Sequence, residues 1–273
     1  MPELSLIKID FSVPVTLGPG GKLDPPSFIE RLSARWKGRR VAVFGITGSG
    51  KTAWLKYVWK INIPETDVQS TTLDTEPYSA KIGRLSFIFE DSPGQDSNAS
   101  LLEMLTRARD GDYLGVINLV SYGFQDSQGD SKKKFGKKKD IEEYTKKVRE
   151  NEVNFVRKFL FDRGSANADG LIRNLKFVIT VVNKFDLWHP LADEVRAHYV
   201  GGPYGEVLQP FGNRHVVCAC AAGPQFGYFH GSPVGGVWAQ PPDQSVIGDV
   251  NGACIMSIGA ALRGHFNSVS FMP

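Results

Sequence analysis

The fold of this chain is decided by the stretch Gly45-Ile46-Thr47-Gly48-Ser49-Gly50-Lys51-Thr52. It follows an apolar run, Arg40–Phe44, and leads into a segment with helical spacing, Thr52–Lys60. A strand, a turn of the form Gly, four residues, Gly-Lys-Thr, and then a helix together make a phosphate-binding loop. The glycines let backbone N–H groups curl around a phosphate at the positive end of the helix. The stretch therefore predicts a nucleotide site.

The side chains of this loop have separate expected roles. We expect the Lys51 ammonium to reach the β- and γ-phosphate oxygens and the Thr52 hydroxyl to bind Mg²⁺. The nucleotide-binding residues predicted here are Gly45, Thr47, Gly48, Ser49, Gly50, Lys51, Thr52 and Ala53. The loop alone does not distinguish ATP from GTP, because it binds the phosphates and not the base.

A second motif, Asp91-Ser92-Pro93-Gly94-Gln95, follows an apolar run at Leu85–Phe89. It places a carboxylate at the carboxyl end of a strand, where open α/β sheets bind ligands. We expect Asp91 to hold Mg²⁺ through water and the Gly94 N–H to contact the γ-phosphate. An Asp-X-X-Gly sequence alone is an ordinary turn in most proteins, so its place after the phosphate-binding loop carries the prediction.

The choice of base depends on Asn183-Lys184-Phe185-Asp186, which follows the apolar run Phe177–Val182. The Asp186 carboxylate can accept hydrogen bonds from the N1–H and 2-amino groups of guanine, whereas adenine presents an acceptor on that edge. The motif therefore predicts guanine selectivity, with Asn183, Lys184 and Asp186 among the nucleotide-binding residues.

Apolar runs of strand length alternate with helical segments along the chain. The runs lie at Arg40–Phe44, Leu85–Glu90, Tyr113–Val120, Phe177–Val182 and His215–Cys218. Helical spacing occurs near Leu101–Arg109, Asp140–Phe161, Leu191–His198 and Gly252–Phe266. Such alternation predicts an α/β protein with a mainly parallel sheet and helices on both faces.

The three motifs in this order resemble those of the Ras/Arf-like small GTPases and their relatives, which include a signal-recognition-particle receptor subunit. The resemblance covers roughly Arg39–Ala222 and a C-terminal helix, and Lys81–Asp91 resembles the Arf-type hairpin. It implies a P-loop GTPase fold with a central sheet of about six strands. It also implies a Mg²⁺-dependent GTPase that hydrolyses GTP to GDP and acts as a molecular switch toward a protein partner.

The resemblance assigns the catalytic residues Gln95, Lys51 and Thr72. Gln95 matches the glutamine that positions the attacking water. Thr72 is the best match to the switch threonine, which binds Mg²⁺ and senses the γ-phosphate, and Thr71 and Thr75 are its rivals. The metal ligands it implies are Thr52, Thr72 and Asp91.

The segment Val216–Ala222 resembles the loop that covers the base in this family. In the preferred register, the backbone of Cys220 and Ala221 meets the guanine carbonyl. A second register stays open, as does a purely structural role as a strand end.

Three segments depart from the family pattern. Residues 1–38 are an N-terminal extension, expected to hold a short strand or hairpin and a helix. Within the small-GTPase-like domain, 39–273, insertions lie near 125–139 and 223–250. The first contains Lys132–Lys139, which we interpret as a solvated loop. Weak contact with an acidic protein or lipid headgroups is the second interpretation, and nucleic acid the third.

Composition limits the remaining classes of function. A net charge of +3 over 273 residues does not indicate a nucleic-acid partner. The three cysteines are too few for a disulfide framework, and Cys218-X-Cys220 lacks the second ligand pair of a structural zinc site. No apolar run approaches the roughly 20 residues of a membrane span. The N-terminus shows no signal-peptide pattern. These observations predict a cytoplasmic protein without a transmembrane segment.

Two other functions stay open at this point. One is a GTP-binding interaction or assembly subunit with little turnover, and the other is an ATPase or nucleoside kinase, which the guanine motif disfavours. No arginine is clearly placed to reach the γ-phosphate, although Arg84 and Arg107 are candidates by position. Slow intrinsic hydrolysis and an effector or regulatory partner, such as a GTPase-activating protein, are therefore expected.

Overall fold

The computed structural model describes residues 39–58, 77–82, 85–92, 103–104, 106–108, 110–125, 138–161, 174–222 and 242–267. The predicted N-terminal extension, 1–38, lies outside these residues. So do the lysine-rich segment up to residue 137 and most of the second predicted insertion, at 223–241.

The strands within the described residues form one six-stranded sheet in the order β2-β3-β1-β4-β5-β6. They are β1 Arg40–Phe44, β2 Pro77–Ile82, β3 Leu85–Asp91, β4 Gly115–Val120, β5 Phe177–Val182 and β6 His215–Ala219. All neighbouring pairs are parallel except β2 and β3, which pair antiparallel. The predicted α/β class and mainly parallel sheet are confirmed, as is the antiparallel pairing ahead of Asp91.

The helices agree with the predicted periodicity in place but not always in length. They are α1 Lys51–Val58, α2 Lys138–Phe161, α3 Phe185–Trp188, α4 Ala192–Val200, α5 Pro203–Leu208 and α6 Gln244–Asn267. The prediction placed an insertion at 223–250, whereas α6 already begins at Gln244. The last turns of that segment therefore belong to the helix, and α5 was not predicted.

The buried strands divide the core into two layers, because successive side chains point to opposite faces of the sheet. Val41 and Val43 pack with α1 and α6, through residues such as Leu55 and Ile258. Ala42 and Phe44 pack on the other side with α2, α4 and α5, whose inward residues include Val153, Val156, Val195, Tyr199, Tyr204 and Leu208. Helices therefore cover both faces, as predicted.

Parallel pairing brings the carboxyl ends of β1, β3, β4, β5 and β6 to one edge of the sheet. The chain passes from β1 to β2 and β3, which lie on one side of β1. It then crosses to β4 on the other side, so the strand order reverses beside β1. Crevices at such points are the usual ligand sites of open α/β sheets. Each predicted motif follows one of these strands, so all of them lie along the same edge.

Helix α6 contains a 19-residue stretch, Gln244–Leu262, that is long and apolar enough to cross a membrane by length and composition alone. The prediction that no apolar run approaches the length of a membrane span is wrong for α6. Glycines and single polar residues interrupt its apolar residues, although the stretch as a whole is apolar enough. Cys254, Ile255 and Leu262 are buried against the sheet. One such helix is weak evidence for a span, since core helices of soluble proteins pass the same test.

Candidate nucleotide-binding site

The phosphate-binding loop depends on glycine at positions where backbone and neighbouring side chains come close. Gly50 has φ +88°, and a Cβ there would lie 2.5 Å from the Asn183 Nδ2 atom. Gly45 leaves no room for a Cβ beside the Leu119 carbonyl oxygen. The turn continues directly into α1, whose first turn includes a hydrogen bond from the Trp54 N–H to the Gly50 carbonyl at 2.8 Å. These glycines bring the loop against β4 and the base-side motif.

Lys51 spans the loop that precedes it. Its ammonium donates to the Gly45 carbonyl across 2.8 Å, and the residue is only 7% exposed. Burial lowers the pKa of Lys51, and the negative charge of Asp91 opposes this effect. A buried cation that is stabilised by a single carboxylate favours an incoming anion, because a phosphate would restore part of the lost solvation.

Thr52 and Asp91 form the second contact of the site. The Thr52 hydroxyl donates to the Asp91 Oδ2 atom at 3.0 Å, and Asp91 is fully buried. Pairing of β1 with β3 places Asp91 opposite Val43, beside the start of the loop. A hydroxyl and a carboxylate oxygen at this separation are the oxygen ligands that Mg²⁺ prefers.

A nucleotide-bound Mg²⁺ needs few protein ligands, because phosphate oxygens and water complete its shell. Within the described ranges, no group of three or more His, Cys, Asp or Glu side chains could hold a metal ion. The pair of Thr52 and Asp91 fits a magnesium triphosphate and does not resemble a site made of protein ligands alone. Thr72, the third predicted ligand, lies outside the described residues, together with Thr71 and Thr75.

Asn183 connects the base-side motif with the phosphate-binding loop. Its Nδ2 donates to the Ser49 carbonyl at 3.0 Å, and its Oδ1 accepts from the Ala222 N–H at 3.0 Å. The backbone carbonyl of Asn183 accepts from the Trp188 indole N–H at 2.7 Å. Asn183 therefore fixes the spacing between the loop Gly45–Thr52 and the loop after β6.

The rest of the motif turns sharply after Asn183. Lys184 adopts a left-handed conformation with φ 62° and ψ 39°, and helix α3 begins at Phe185. The Phe185 N–H donates to the Cys220 carbonyl at 2.9 Å, which ties this turn to the loop after β6. Asp186 lies in the first turn of α3 and is 1% exposed. A carboxylate is therefore held next to the loop predicted to cover the base.

In the described part of the loop after β6, the amides of Cys220, Ala221 and Ala222 all donate to protein oxygens. The Cys220 N–H donates to the Val182 carbonyl at 2.9 Å, and the Ala222 N–H donates to Asn183. The Ala221 N–H donates to the Oδ1 atom of Asn251, on α6, at 2.7 Å. The sequence predicts that the backbone of Cys220 and Ala221 meets the guanine carbonyl. In the structure, the amides of both residues already donate to protein acceptors. Sequence reading missed Asn251, because a lone asparagine inside a helix belongs to no motif.

The structure thus brings most of the predicted site residues to one edge: the loop Gly45–Thr52, with Ala53 after it, then Asp91, Asn183, Lys184, Asp186, Cys220 and Ala221. Gly94 and Gln95 lie outside the described residues, as does Arg84. Arg107 forms ion pairs with Glu90 at 3.0 Å and with Asp112 at 3.3 Å. These contacts assign the Arg107 guanidinium a structural role beside β3.

A buried carboxylate that the sequence did not reveal, Glu152 of α2, lies under the loop after β4. It accepts from the Tyr199 hydroxyl at 2.6 Å, the Ser121 N–H at 2.9 Å and the Gln125 side-chain amide at 3.3 Å. Burial raises the pKa of Glu152, and these hydrogen bonds oppose the shift. Glu152 therefore joins α2 to the carboxyl edge of the sheet.

Replacing Glu152 by Ala should lower the free energy of unfolding by about 3 kcal/mol or more, because several buried donors would lose their acceptor. Glu152→Gln keeps one acceptor oxygen and should lose less. Because the folded-state pKa is raised, the carboxyl contributes most below its unfolded value of 4.5, and this contribution declines as the pH rises through the folded-state pKa. The free energy of unfolding of the wild type should therefore fall, relative to that of Glu152→Gln, as the pH rises from 4.5 through the folded-state pKa. Urea unfolding at several pH values measures both effects, and equal stability of Glu152→Ala and wild type would contradict the first.

A comparison of the chain with protein-family models finds no match, and neither does a comparison with curated protein sequences.

Proposed function

We propose that this chain is a guanine-nucleotide-binding protein of the P-loop class, resembling the Ras/Arf-like small GTPases, that hydrolyses GTP to GDP and phosphate. One observation carries the proposal: Asn183 hydrogen-bonds both the phosphate-binding loop, at Ser49, and the loop after β6, at Ala222. A base-recognition motif that is joined to a phosphate-binding loop in this way fits a nucleotide bound along the carboxyl edge of the sheet.

The phosphate end of the proposed site uses charge and backbone amides. Lys51 would exchange its bond to the Gly45 carbonyl for phosphate oxygens, and the glycine turn would direct N–H groups at the β-phosphate. Thr52 and Asp91 would hold Mg²⁺, one directly and the other through water. When bound, the ion neutralises charge on the β- and γ-phosphates.

At the base end, the buried Asp186 carboxylate would accept the two guanine donors. Its burial strengthens the discrimination, because adenine would leave a buried carboxylate facing another acceptor. This is the feature that disfavours an ATPase or a nucleoside kinase.

The proposed hydrolysis depends on Gln95, whose amide can accept from the attacking water and donate to a γ-phosphate oxygen. Arg107 is held in ion pairs with Glu90 and Asp112. We therefore assign no arginine of the described residues to the γ-phosphate. Intrinsic turnover should therefore be slow, and a partner's arginine would raise it by roughly 10³ to 10⁵. The same observation favours the second candidate, a cytoplasmic interaction subunit that retains GTP with little turnover.

The nucleotide that the purified protein carries tests the proposal directly. Protein denatured after gentle purification should release GDP or GTP in near-stoichiometric amount, identified by ion-exchange chromatography and mass. Adenine nucleotides in their place would contradict the proposal. Protein that carries no nucleotide and binds neither GDP nor ATP on titration with Mg²⁺ would exclude both nucleotide functions.

Gln95→Leu should retain GTP binding and hydrolyse GTP at least tenfold more slowly, because leucine cannot orient water. Single-turnover hydrolysis, alone and with any activating partner, measures the effect, and the exposed substitution Gln244→Leu is the control. Wild-type hydrolysis by Gln95→Leu would remove this residue from the mechanism and favour the non-cycling subunit.

A further inference from the structure

Asn251 makes an unusually complete set of contacts for a side chain outside the predicted motifs. Its Oδ1 accepts from the Ala221 N–H at 2.7 Å and from the Cys220 thiol at 3.2 Å. Its Nδ2 donates to the Ala221 carbonyl at 3.0 Å, and Tyr57 of α1 hydrogen-bonds the same side chain. This set matches the two acceptor and two donor positions of an asparagine amide. The residue is 2% exposed.

This arrangement conflicts with a simple reading of base recognition. One N–H group makes one strong hydrogen bond, and the Ala221 N–H already donates across a short distance. The amides on either side are also engaged, by Val182 and by Asn183. The Asn183 bond belongs to the bridge to the phosphate-binding loop, and the Val182 bond extends the pairing of the sheet. The bond to Asn251 is the one of the three that links the loop to a separate helix.

We propose that Asn251 is a specificity-determining residue whose side-chain carbonyl occupies the position of the guanine carbonyl, and that the two exchange for the Ala221 N–H when the nucleotide binds. The inference rests on the proposed function and adds a competing internal ligand to it. Asn251 Oδ1 and guanine O6 are both carbonyl acceptors, so the exchange replaces one N–H···O bond by another of similar strength.

The exchange would couple the base to two helices. Release of the Ala221 N–H would loosen the connection between the loop after β6 and α6. Tyr57 connects the Asn251 side chain to α1, the helix that begins at Lys51. Because coupling between sites is reciprocal, a partner that draws α6 away from the loop would strengthen guanine binding, and guanine binding would favour that partner.

The test is a thermodynamic cycle between Asn251 and the guanine carbonyl. The probes are GDP and 6-thio-GDP, which keeps the N1–H and 2-amino groups but replaces the carbonyl oxygen by sulfur, a weak acceptor. Asn251→Leu and Asn251→Ala both remove the competing acceptor. The ratio of the Kd for 6-thio-GDP to the Kd for GDP should rise about fivefold in both variants, because the oxygen then gains an unopposed donor.

Ile255→Ala is the matched control, since it weakens the packing of α6 one turn further on and removes no hydrogen-bonding group. It should change both dissociation constants by the same factor and leave their ratio unchanged. If Asn251 had only a structural role, its variants would also leave the ratio of the two dissociation constants unchanged. An unchanged or lower ratio in the Asn251 variants would therefore overturn the inference. If wild-type protein binds neither ligand, the proposed function fails and this inference with it. An unchanged ratio with normal GDP binding leaves the proposed function intact.

A measurement on the wild-type protein covers the case in which both variants unfold. The side-chain NH₂ resonances of Asn251, identified by selective labelling, should shift on saturation with GDP and shift less with 6-thio-GDP. Identical resonances with and without GDP would overturn the inference, because the exchange moves this amide out of its contacts.

Discussion

Asp186→Asn should bind GTP on the order of 10³- to 10⁴-fold more weakly than the wild type and should gain affinity for xanthosine triphosphate. The carboxylate proposed to accept the guanine N1–H and 2-amino protons becomes an amide with one acceptor and two donors. Xanthine carries a carbonyl where guanine has the 2-amino group, so the amide can donate to it. The change keeps the size of the side chain, and the 1% exposure of Asp186 means that water cannot replace the lost partner.

Competition titrations with GTP, ATP and xanthosine triphosphate at constant Mg²⁺ measure this change of specificity. Asp193→Asn removes the same charge from an exposed position on α4 and should bind GTP like the wild type. Unchanged GTP affinity in Asp186→Asn would remove the guanine assignment. A loss of GTP binding without any gain for xanthosine triphosphate would indicate a structural defect, which a thermal melt of the free protein would reveal.

Local patterns determine the strand and loop positions that the sequence predicted and that the structure shows. A glycine turn between a strand and a helix needs only neighbouring residues, and parallel pairing then carries each strand end to the same edge. Asp91 and Asn183 come together with the loop for this reason, although Asn183 lies 134 residues beyond Ser49. The boundaries of β1 and β5 also agree, because every residue except Arg40 of β1 and Thr180 of β5 is apolar.

The parts that could not be predicted depend on contacts between distant elements. Asn251 reaches Ala221 from a helix 30 residues further on, and Glu152 reaches Ser121 across 31 residues. Neither residue carries a local signal, since a polar residue inside an amphipathic helix normally points to water. Short helix α5 was missed because Gly202 and Pro203 suggest a turn, while burial of Tyr204 and Leu208 stabilises it as a helix.

Lys51→Ala should nearly abolish binding of the triphosphate, with a loss of about 10² to 10⁴ in affinity for both GDP and GTP. Each charge-assisted hydrogen bond to a phosphate oxygen contributes about 1.5–3 kcal/mol, and the ammonium is expected to make two of them. The variant also leaves the Asp91 carboxylate buried without its nearby cation, so phosphate would meet a net negative site.

Folding should tolerate this substitution better than binding does. Removal of the Lys51 ammonium relieves a desolvation cost, but it leaves the Asp91 carboxylate buried without its nearby cation. The free protein should therefore remain folded but melt below the wild type, and GDP with Mg²⁺ should add no further stabilisation. Lys56→Ala, on the same helix α1, removes an equal charge away from the loop and is the matched control. Isothermal titration with GDP and Mg²⁺ distinguishes the variants, and wild-type affinity in Lys51→Ala would exclude phosphate binding by this loop.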